Sequence, residues 1–482
     1  MEKFDLIVIG AGAGGLTAVD FARKLGAKVA LVEKHRVGGD CTWTGCVPSK
    51  ALLHAASVAQ TVRQAALVGI STGAIQVDMA QVRDYVKSCI TAVYRQESPE
   101  TLRRDGVDVA LGGAQFLDGH TIQAGGRTLT APRVIIATGA HPLTPPIPGL
   151  EAVDFHTHAT IFENGRLPQH LLVLGAGPVG VEIGQAYGRL GARVTLVDEV
   201  ILPGVDREAA AILSGQLTAD GVNFTAGLAT AVTQQGQQIS VQVNDQTITG
   251  DLLLVATGRR PNVAGLGLEQ AGVDFSESGI TTDRFLRTSQ KHIYAVGDCT
   301  GGFQFSHYAG WQAFTAVRNA LLPGQDKGVL PTVPWAVFTA PEIGQAGLSE
   351  TAARLQFGES VQTSLMPLTQ VDRAITANQT GGFIKLIHRP NGKLLGATIV
   401  AANAGELIAE FVLALHQGLK LRDVAETLHV YPTLGTGAQM LAMDWATHDF
   451  LDSAMGRIAL RLAGLDGAGA LPNITPNPQL KT

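Results

Sequence analysis

The feature that most restricts the fold of this chain is a pattern that occurs twice. A short apolar strand runs into a glycine-rich turn, an amphipathic helix, a second strand and an acid. In the first copy Phe4 to Ile9 lead into Gly10-Ala11-Gly12-Ala13-Gly14-Gly15, a helical stretch to Leu25, a strand from Lys28 to Val32, and then Glu33. In the second, Leu171 to Leu174 lead into Gly175-Ala176-Gly177-Pro178-Val179-Gly180, a helical stretch to Leu190, a strand from Arg193 to Val197, and then Asp198. Gly10 and Gly175 permit a tight turn, Gly12 and Gly177 let the backbone approach a pyrophosphate, and Gly15 and Gly180 let helix and strand pack closely. The helix N-terminus offers free N–H groups and a partial positive charge to phosphate. An acid at the end of the second strand accepts from ribose hydroxyls. One glycine fingerprint is a weak signal, and two glycine-rich loops without ligands are the alternative. Two complete copies at matched spacing predict two dinucleotide sites. The second strand ends in Asp198-Glu199, and the next basic residue is Arg207. Acids there repel a 2′-phosphate, which predicts NADH over NADPH.

Composition narrows the class. The 482 residues are 45% hydrophobic and 16% charged, which suits a large globular protein rather than a disordered one. The formal net charge is -5 and no Lys/Arg run is present, so no nucleic-acid partner is expected. No apolar run approaches the ~20 residues of a membrane span. The N-terminal residues lack a basic segment followed by an apolar one, so no secretory leader is expected and the reading is cytoplasmic. Only four cysteines occur, Cys41, Cys46, Cys89 and Cys299, which fits a reducing compartment and not a disulfide scaffold.

Cys41 and Cys46 lie in Gly38-Gly39-Asp40-Cys41-Thr42-Trp43-Thr44-Gly45-Cys46-Val47-Pro48-Ser49-Lys50. Their spacing allows a disulfide if they sit near a helix start. A thiol near a helix N-terminus or a cation loses its proton more easily. Such a pair accepts two electrons and passes them on by thiol–disulfide exchange. A structural zinc site needs four ligands, and no second cysteine pair is present. Two unrelated buried thiols remain the other reading. Cys89 falls in a helical stretch, Val82 to Tyr94, and is expected in a core.

The segment Gly38 to Lys50 resembles the active-site sequence of the pyridine nucleotide-disulfide oxidoreductases, which include dihydrolipoamide dehydrogenase, glutathione reductase and mercuric reductase. The likeness covers most of the chain. Val134-Ile135-Ile136-Ala137-Thr138-Gly139 and Leu254-Val255-Ala256-Thr257-Gly258-Arg259 are similar to the family's paired Thr-Gly segments. Ile293-Tyr294-Ala295-Val296-Gly297-Asp298 is similar to its second FAD motif, and Phe338 to Glu342 and Ala404 to Ile408 to its C-terminal domain. The resemblance implies an α/β fold: two Rossmann-like dinucleotide-binding domains, for FAD and NAD(P), plus a C-terminal α+β dimerisation domain. The implied boundaries are 1–150 and 281–330 for the split FAD domain, 151–280 for the NAD(P) domain, 331–450 for the dimerisation domain and 451–482 for an extension. It implies FAD and NADH or NADPH as cofactors. It also implies a homodimer whose C-terminal segment reaches the partner's active site. Cys46 would be the flavin-proximal thiolate and Cys41 the interchange thiol. Lys50 and Glu182 would be the ion pair beside the reactive flavin nitrogen. Gly14, Lys34, Gly39, Thr138, Gly139, Gly258, Arg259, Gly297 and Asp298 join the glycine turns, Glu33 and Asp198 as cofactor contacts, with Asp298 at the ribityl chain. Cys299 would pack near the flavin without redox work.

The sequence departs from the family where the acceptor would bind. Disulfide reductases carry a His-Pro with a Glu five residues after the His. Here Tyr431 holds the His position, Thr436 replaces the Glu, and His429 lies two residues early. Alternation in an extended segment predicts His429 and Tyr431 on one side. Tyrosine, with a reference pKa of about 10, is a poor base at neutral pH, so ordinary dihydrolipoamide or glutathione chemistry is disfavoured. Mercuric reductases use a tyrosine in this region, and thiolates suit a soft metal ion. Their C-terminal cysteine pair has no counterpart here, since no cysteine follows Cys299. Asp40, Trp43 and Pro178 also differ from the usual residues, and Trp43 either fills a substrate channel or packs. The expected acceptor is a soft metal ion or an unidentified disulfide, with dihydrolipoamide dehydrogenase as one alternative. A slowly turning flavin-bearing sensor or scaffold is the other.

Overall fold

The computed structural model describes residues 1–465. The described residues divide into two compact units, Met1–Ile201 with Asp220–Pro331, and Leu202–Ala219 with 332–465.

The first unit contains both repeats. A five-stranded parallel sheet has the order Ile293–Ala295, Val134–Ile136, Leu6–Ile9, Val29–Glu33, Asp108–Leu111. Its central strand reads Leu-Ile-Val-Ile and is buried on both faces, as strands of covered parallel sheets are. Side chains alternate across it. Leu6 and Val8 join one core with Ala18, Val19 and Ala22 of the helix Ala13–Lys24 and Ala313, Ala316 and Val317 of Ser306–Leu321. Ile7 and Ile9 enter another with Phe116, Ile122 and Leu129. The strand begins at Leu6 rather than Phe4 because Glu2–Lys3 pair with Arg127–Thr130 in a separate sheet, and the Phe4 amide donates to the Thr130 carbonyl at 2.9 Å.

Between Ile136 and Ile293 the chain builds a second parallel sheet, Val222–Ala226, Arg193–Asp198, His170–Leu174, Leu252–Val255. The first nucleotide fold is therefore split in sequence and the second is inserted into it. Its helix, Pro178–Leu190, starts on a proline, whose fixed φ and missing N–H suit a first helical position.

In the second unit, five antiparallel strands have the order Trp335–Val337, Glu342–Gly347, Leu394–Ala401, Phe383–His388, Gln362–Pro367. Ile384, Leu386 and Ile399 share a core with Ile408 and Phe411 of Ala404–Gln417 and Ala438 and Leu441 of Thr436–Asp452. Leu202–Ala219 lies within the span read from sequence as nucleotide-binding, yet it packs in this unit. Ala209, Leu213 and Leu217 of the helix Arg207–Ala219 are buried, and charge adds to this packing. The buried Lys385 ammonium meets Asp206 at 3.2 Å, Glu208 at 3.1 Å and Glu350 at 3.1 Å. The extension carries a helix, Ala454–Leu462, and its residues past 465 lie outside the described ones. Among the described residues no helix is long and apolar enough to cross a membrane.

Candidate active site

The duplication seen in sequence is repeated in bonding detail. Gly10 and Gly175 both sit at left-handed φ, 99° and 104°. A Cβ at either would collide with the carbonyl of Ala137 or Ala256. Gly15 and Gly180 stand so close to the carbonyls of Gly10 and Gly175 that neither position has room for a side chain. Glu33 accepts from the Ala11 and His35 amides, each at 2.8 Å. Asp198 accepts from Ala176 and Glu199 amides, each at 2.7 Å. The two acids thus brace their turns through one carboxylate oxygen each, and their remaining lone pairs are available to other donors. Lys34 is exposed at the strand end.

The cysteines sit at helix starts. Cys41 lies in the short helix Gly39–Trp43, and Cys46 opens Cys46–Gln64. All four cysteines are thiols in this structure. The Cys41 sulfur donates to that of Cys46, which also lies 3.4 Å from the Ser306 hydroxyl. The pair splits electrostatically. Donation from Cys41 lowers the Cys46 thiol to about 6, with Ser306 and the Lys50 charge helping against burial and Glu182. Cys41, holding the proton for its neighbour and partly buried, is pushed far above an ordinary thiol. Lys50, one turn along the helix from Cys46, reaches the buried Glu182 of Pro178–Leu190 at 2.9 Å.

The Thr-Gly segments lock together. The Thr138 hydroxyl donates to the Asn262 carbonyl at 2.7 Å, the Asn262 amide donates to the Gly139 carbonyl at 2.9 Å, and the Thr257 hydroxyl donates to the Leu143 carbonyl at 3.1 Å. Gly258 and Gly297 are left-handed at φ 131° and 71°. Arg259 bridges Asp40 and Asp298, the latter at 2.6 Å. Cys299 is fully buried, and burial pushes its thiol up to about 11. Trp43 packs: its indole donates to the Val37 carbonyl at 2.7 Å, its ring lies 4.8 Å from Tyr94, and Arg36 covers it at 4.2 Å. Cys89 is only half-buried on Met79–Glu97, short of the expected core position.

In the second unit the expected alternation fails, because 427–435 is irregular and not a strand. His429 is tucked in. Its Nδ1 faces the Thr427 carbonyl at 2.9 Å and its Nε2 the Glu410 carboxylate at 3.0 Å, so both ring nitrogens are engaged. Tyr431 is 69% exposed and donates to Asp372 at 2.7 Å, which raises its pKa further and makes it a still poorer base. Glu410, Asp372 and Ser306 were not legible as site neighbours, since no spacing ties residue 46 to 306 or 429 to 410.

Residues 4–313 match the family described as pyridine nucleotide-disulphide oxidoreductase, and residues 333–442 match its dimerisation domain. The chain belongs to this family. The family is FAD-dependent and uses a pyridine nucleotide as substrate. The chain is 36% identical over 449 residues to a mercuric reductase of Staphylococcus aureus, covering 91% of this chain and 82% of that one. It is 37% identical over 455 residues to a dihydrolipoyl dehydrogenase of Thermus scotoductus, covering 91% and 96%. Among solved structures it matches the Cu(II) complex of the HOCl-induced flavoprotein disulfide reductase RclA from Escherichia coli, with a TM-score of 0.83, 26% identity and 92% and 99% coverage.

The residues present fit FAD. The turn at Gly10–Gly15 is stripped of side chains where a pyrophosphate would approach, and Glu33 stands at the strand end beside it. Among the described residues the buried Arg259 Nε has no hydrogen-bond partner, and buried donors of this kind normally have one. A flavin's polar chain would supply the missing acceptor.

Proposed function

We propose that this flavoenzyme oxidises NADH and delivers the electrons through Cys41 and Cys46 to a soft or thiol-reactive metal ion, Hg(II) or Cu(II), or to a disulfide outside the dihydrolipoamide and glutathione set. The single observation that carries the reading is the placing of two thiols on adjoining helices, with the Cys46 sulfur at a helix start 3.4 Å from the Ser306 hydroxyl and Lys50, held by Glu182 at 2.9 Å, one turn further along. Gly10, Gly12, Gly15, Glu33, Arg259 and Asp298 would hold FAD, and Gly175, Gly177, Gly180 and Asp198 the nicotinamide dinucleotide. Bound FAD supplies two-electron exchange between the nicotinamide and a neighbouring disulfide.

The chain's own groups do the rest. Glu182 orients Lys50, whose ammonium stabilises negative charge near Cys46. The helix start and the Ser306 hydroxyl favour the Cys46 thiolate. Once both sulfurs are reduced, Cys41 passes its proton to the Cys46 thiolate and attacks an outside disulfide, breaking that bond, forming a mixed disulfide and releasing the first product as a thiolate; the Cys46 sulfur then attacks that of Cys41, the Cys41–Cys46 bond forms again, and the second product leaves as a thiol with the proton from Cys46. With a metal ion, both sulfurs bind it as thiolates, their protons pass to water, and the two electrons released as the Cys41–Cys46 bond forms again reduce one Hg(II) to Hg(0) or two Cu(II) to Cu(I). The relatives named mercuric reductase and the RclA copper complex support the metal arm. Steady-state NADH oxidation with Hg(II), Cu(II), lipoamide, glutathione disulfide and quinones tests it. A metal ion should give the highest turnover. Lipoamide ahead of all others would turn the reading to dihydrolipoamide dehydrogenase, and no acceptor above the oxygen background would turn it to a sensor.

Asp198 and Glu199 set a second expectation. NADH should reduce the flavin at least about tenfold faster than NADPH at limiting concentration, since a 2′-phosphate would meet two carboxylates. Stopped-flow reduction with each nucleotide measures this, and equal rates would refute it.

A further inference from the structure

Three segments far apart in sequence converge on one guanidinium. Arg259 begins the strand Arg259–Pro261. It reaches Asp40, in the helix that carries Cys41, and Asp298, in the turn Gly297–Thr300. A third group, the buried His158, lies 3.9 Å from the same Asp40 oxygen.

A planar guanidinium offers donors along fixed directions, and two carboxylates on its terminal nitrogens fix its plane. The remaining donor, Nε, is then aimed at a defined point, and it is the one buried and unpartnered donor of this group. We propose that Asp40 is a positioning residue, which holds Arg259 so that its Nε meets the flavin's polar chain while Asp298 is shared between the two. The proposal rests on the reading that the chain binds FAD. Two directions of titration agree with it. Asp40 lies below the ordinary carboxylate range, because His158 and Arg259 outweigh its burial. Asp298 lies above that range because it is buried, Arg259 only partly offsets this, and the Asp40 charge adds to it. Arg259 thus serves Asp40 more fully than Asp298.

The holding function predicts a change in flavin retention that simple loosening of the fold does not. In flavin-loaded Asp40→Asn, release of FAD, followed by the rise of free-flavin fluorescence after dilution, should be about tenfold faster than in the native protein, a loss of one charge-assisted hydrogen bond. Asp40→Glu, which keeps the charge, should recover part of the retention. Arg259→Lys, a point charge without the fork, should release flavin at a similarly raised rate, and Asp40→Asn placed on Arg259→Lys should add nothing further. Release unchanged in Asp40→Asn overturns the proposal, as do effects that add in the double variant or a lowered melting temperature with native retention. Should Asp40→Asn not fold, the Asp40→Glu and Arg259→Lys comparison decides alone, native retention in Arg259→Lys overturning the proposal. Native protein that neither carries nor takes up flavin defeats the underlying reading as well, whereas loaded native protein with an indifferent Asp40→Asn defeats this inference only.

Discussion

Replacing Cys46 with serine should abolish the long-wavelength thiolate–flavin absorbance of the two-electron-reduced protein and cut acceptor turnover by on the order of 10³-fold or more. A serine hydroxyl does not ionise in the accessible range and cannot re-form a bond to Cys41. Flavin reduction by NADH should persist, because no group assigned to the nucleotide sites changes. Cys41→Ser should lose turnover equally yet keep the absorbance, since the thiolate remains on Cys46. In the native protein the same band should titrate near pH 6, the value to which Cys46 is lowered. The sign follows from the charged species: the band is present above the midpoint and fades as the pH falls through it. In Cys41→Ala, which has no side-chain donor, the midpoint should rise, because the hydrogen bond from Cys41 is the largest cause of the lowering. A band that survives Cys46→Ser would remove Cys46 from its role.

The nucleotide folds were legible because their constraints are local and repeated. Gly10 and Gly175 are dictated by one backbone conformation, Gly15 and Gly180 by one close approach, and Glu33 and Asp198 by one hydrogen bond to the turn. Such requirements fall on fixed residue types at fixed spacing. The Cys41–Lys50 segment was legible for the same reason: both thiols and the ammonium ride on adjoining helices. The acceptor side was not. The side of the chain on which His429 lies depended on whether 427–435 is extended, and an irregular segment has no period to read. Partners such as Ser306 for Cys46, Glu410 for His429 and Arg259 for Asp40 are set by tertiary packing, and no periodicity announces them.

The Lys385 cluster had no sequence signal either, and it carries the largest expected stability effect. Its side chain is 3% exposed and lies on the strand Phe383–His388, amid apolar neighbours. Glu208 and Glu350 reach water, but Asp206 is 4% exposed, and among the described residues its charge is met by the ammonium and by the Thr398 hydroxyl at 3.0 Å, which it shares with Gln345 at 2.6 Å. Lys385→Met fills much of the same volume and leaves that carboxylate buried without a cation. Stranding a buried charge in this way costs about 3–5 kcal/mol. The loss should appear in urea unfolding as an earlier transition of the unit containing Leu202–Ala219 and the chain from Thr332. Adding Asp206→Asn removes the stranded charge while keeping an acceptor for Thr398, so the double variant should recover most of the deficit. A double variant no more stable than Lys385→Met would show that packing around the lysine stem, rather than the charge of Asp206, is what the ammonium secures.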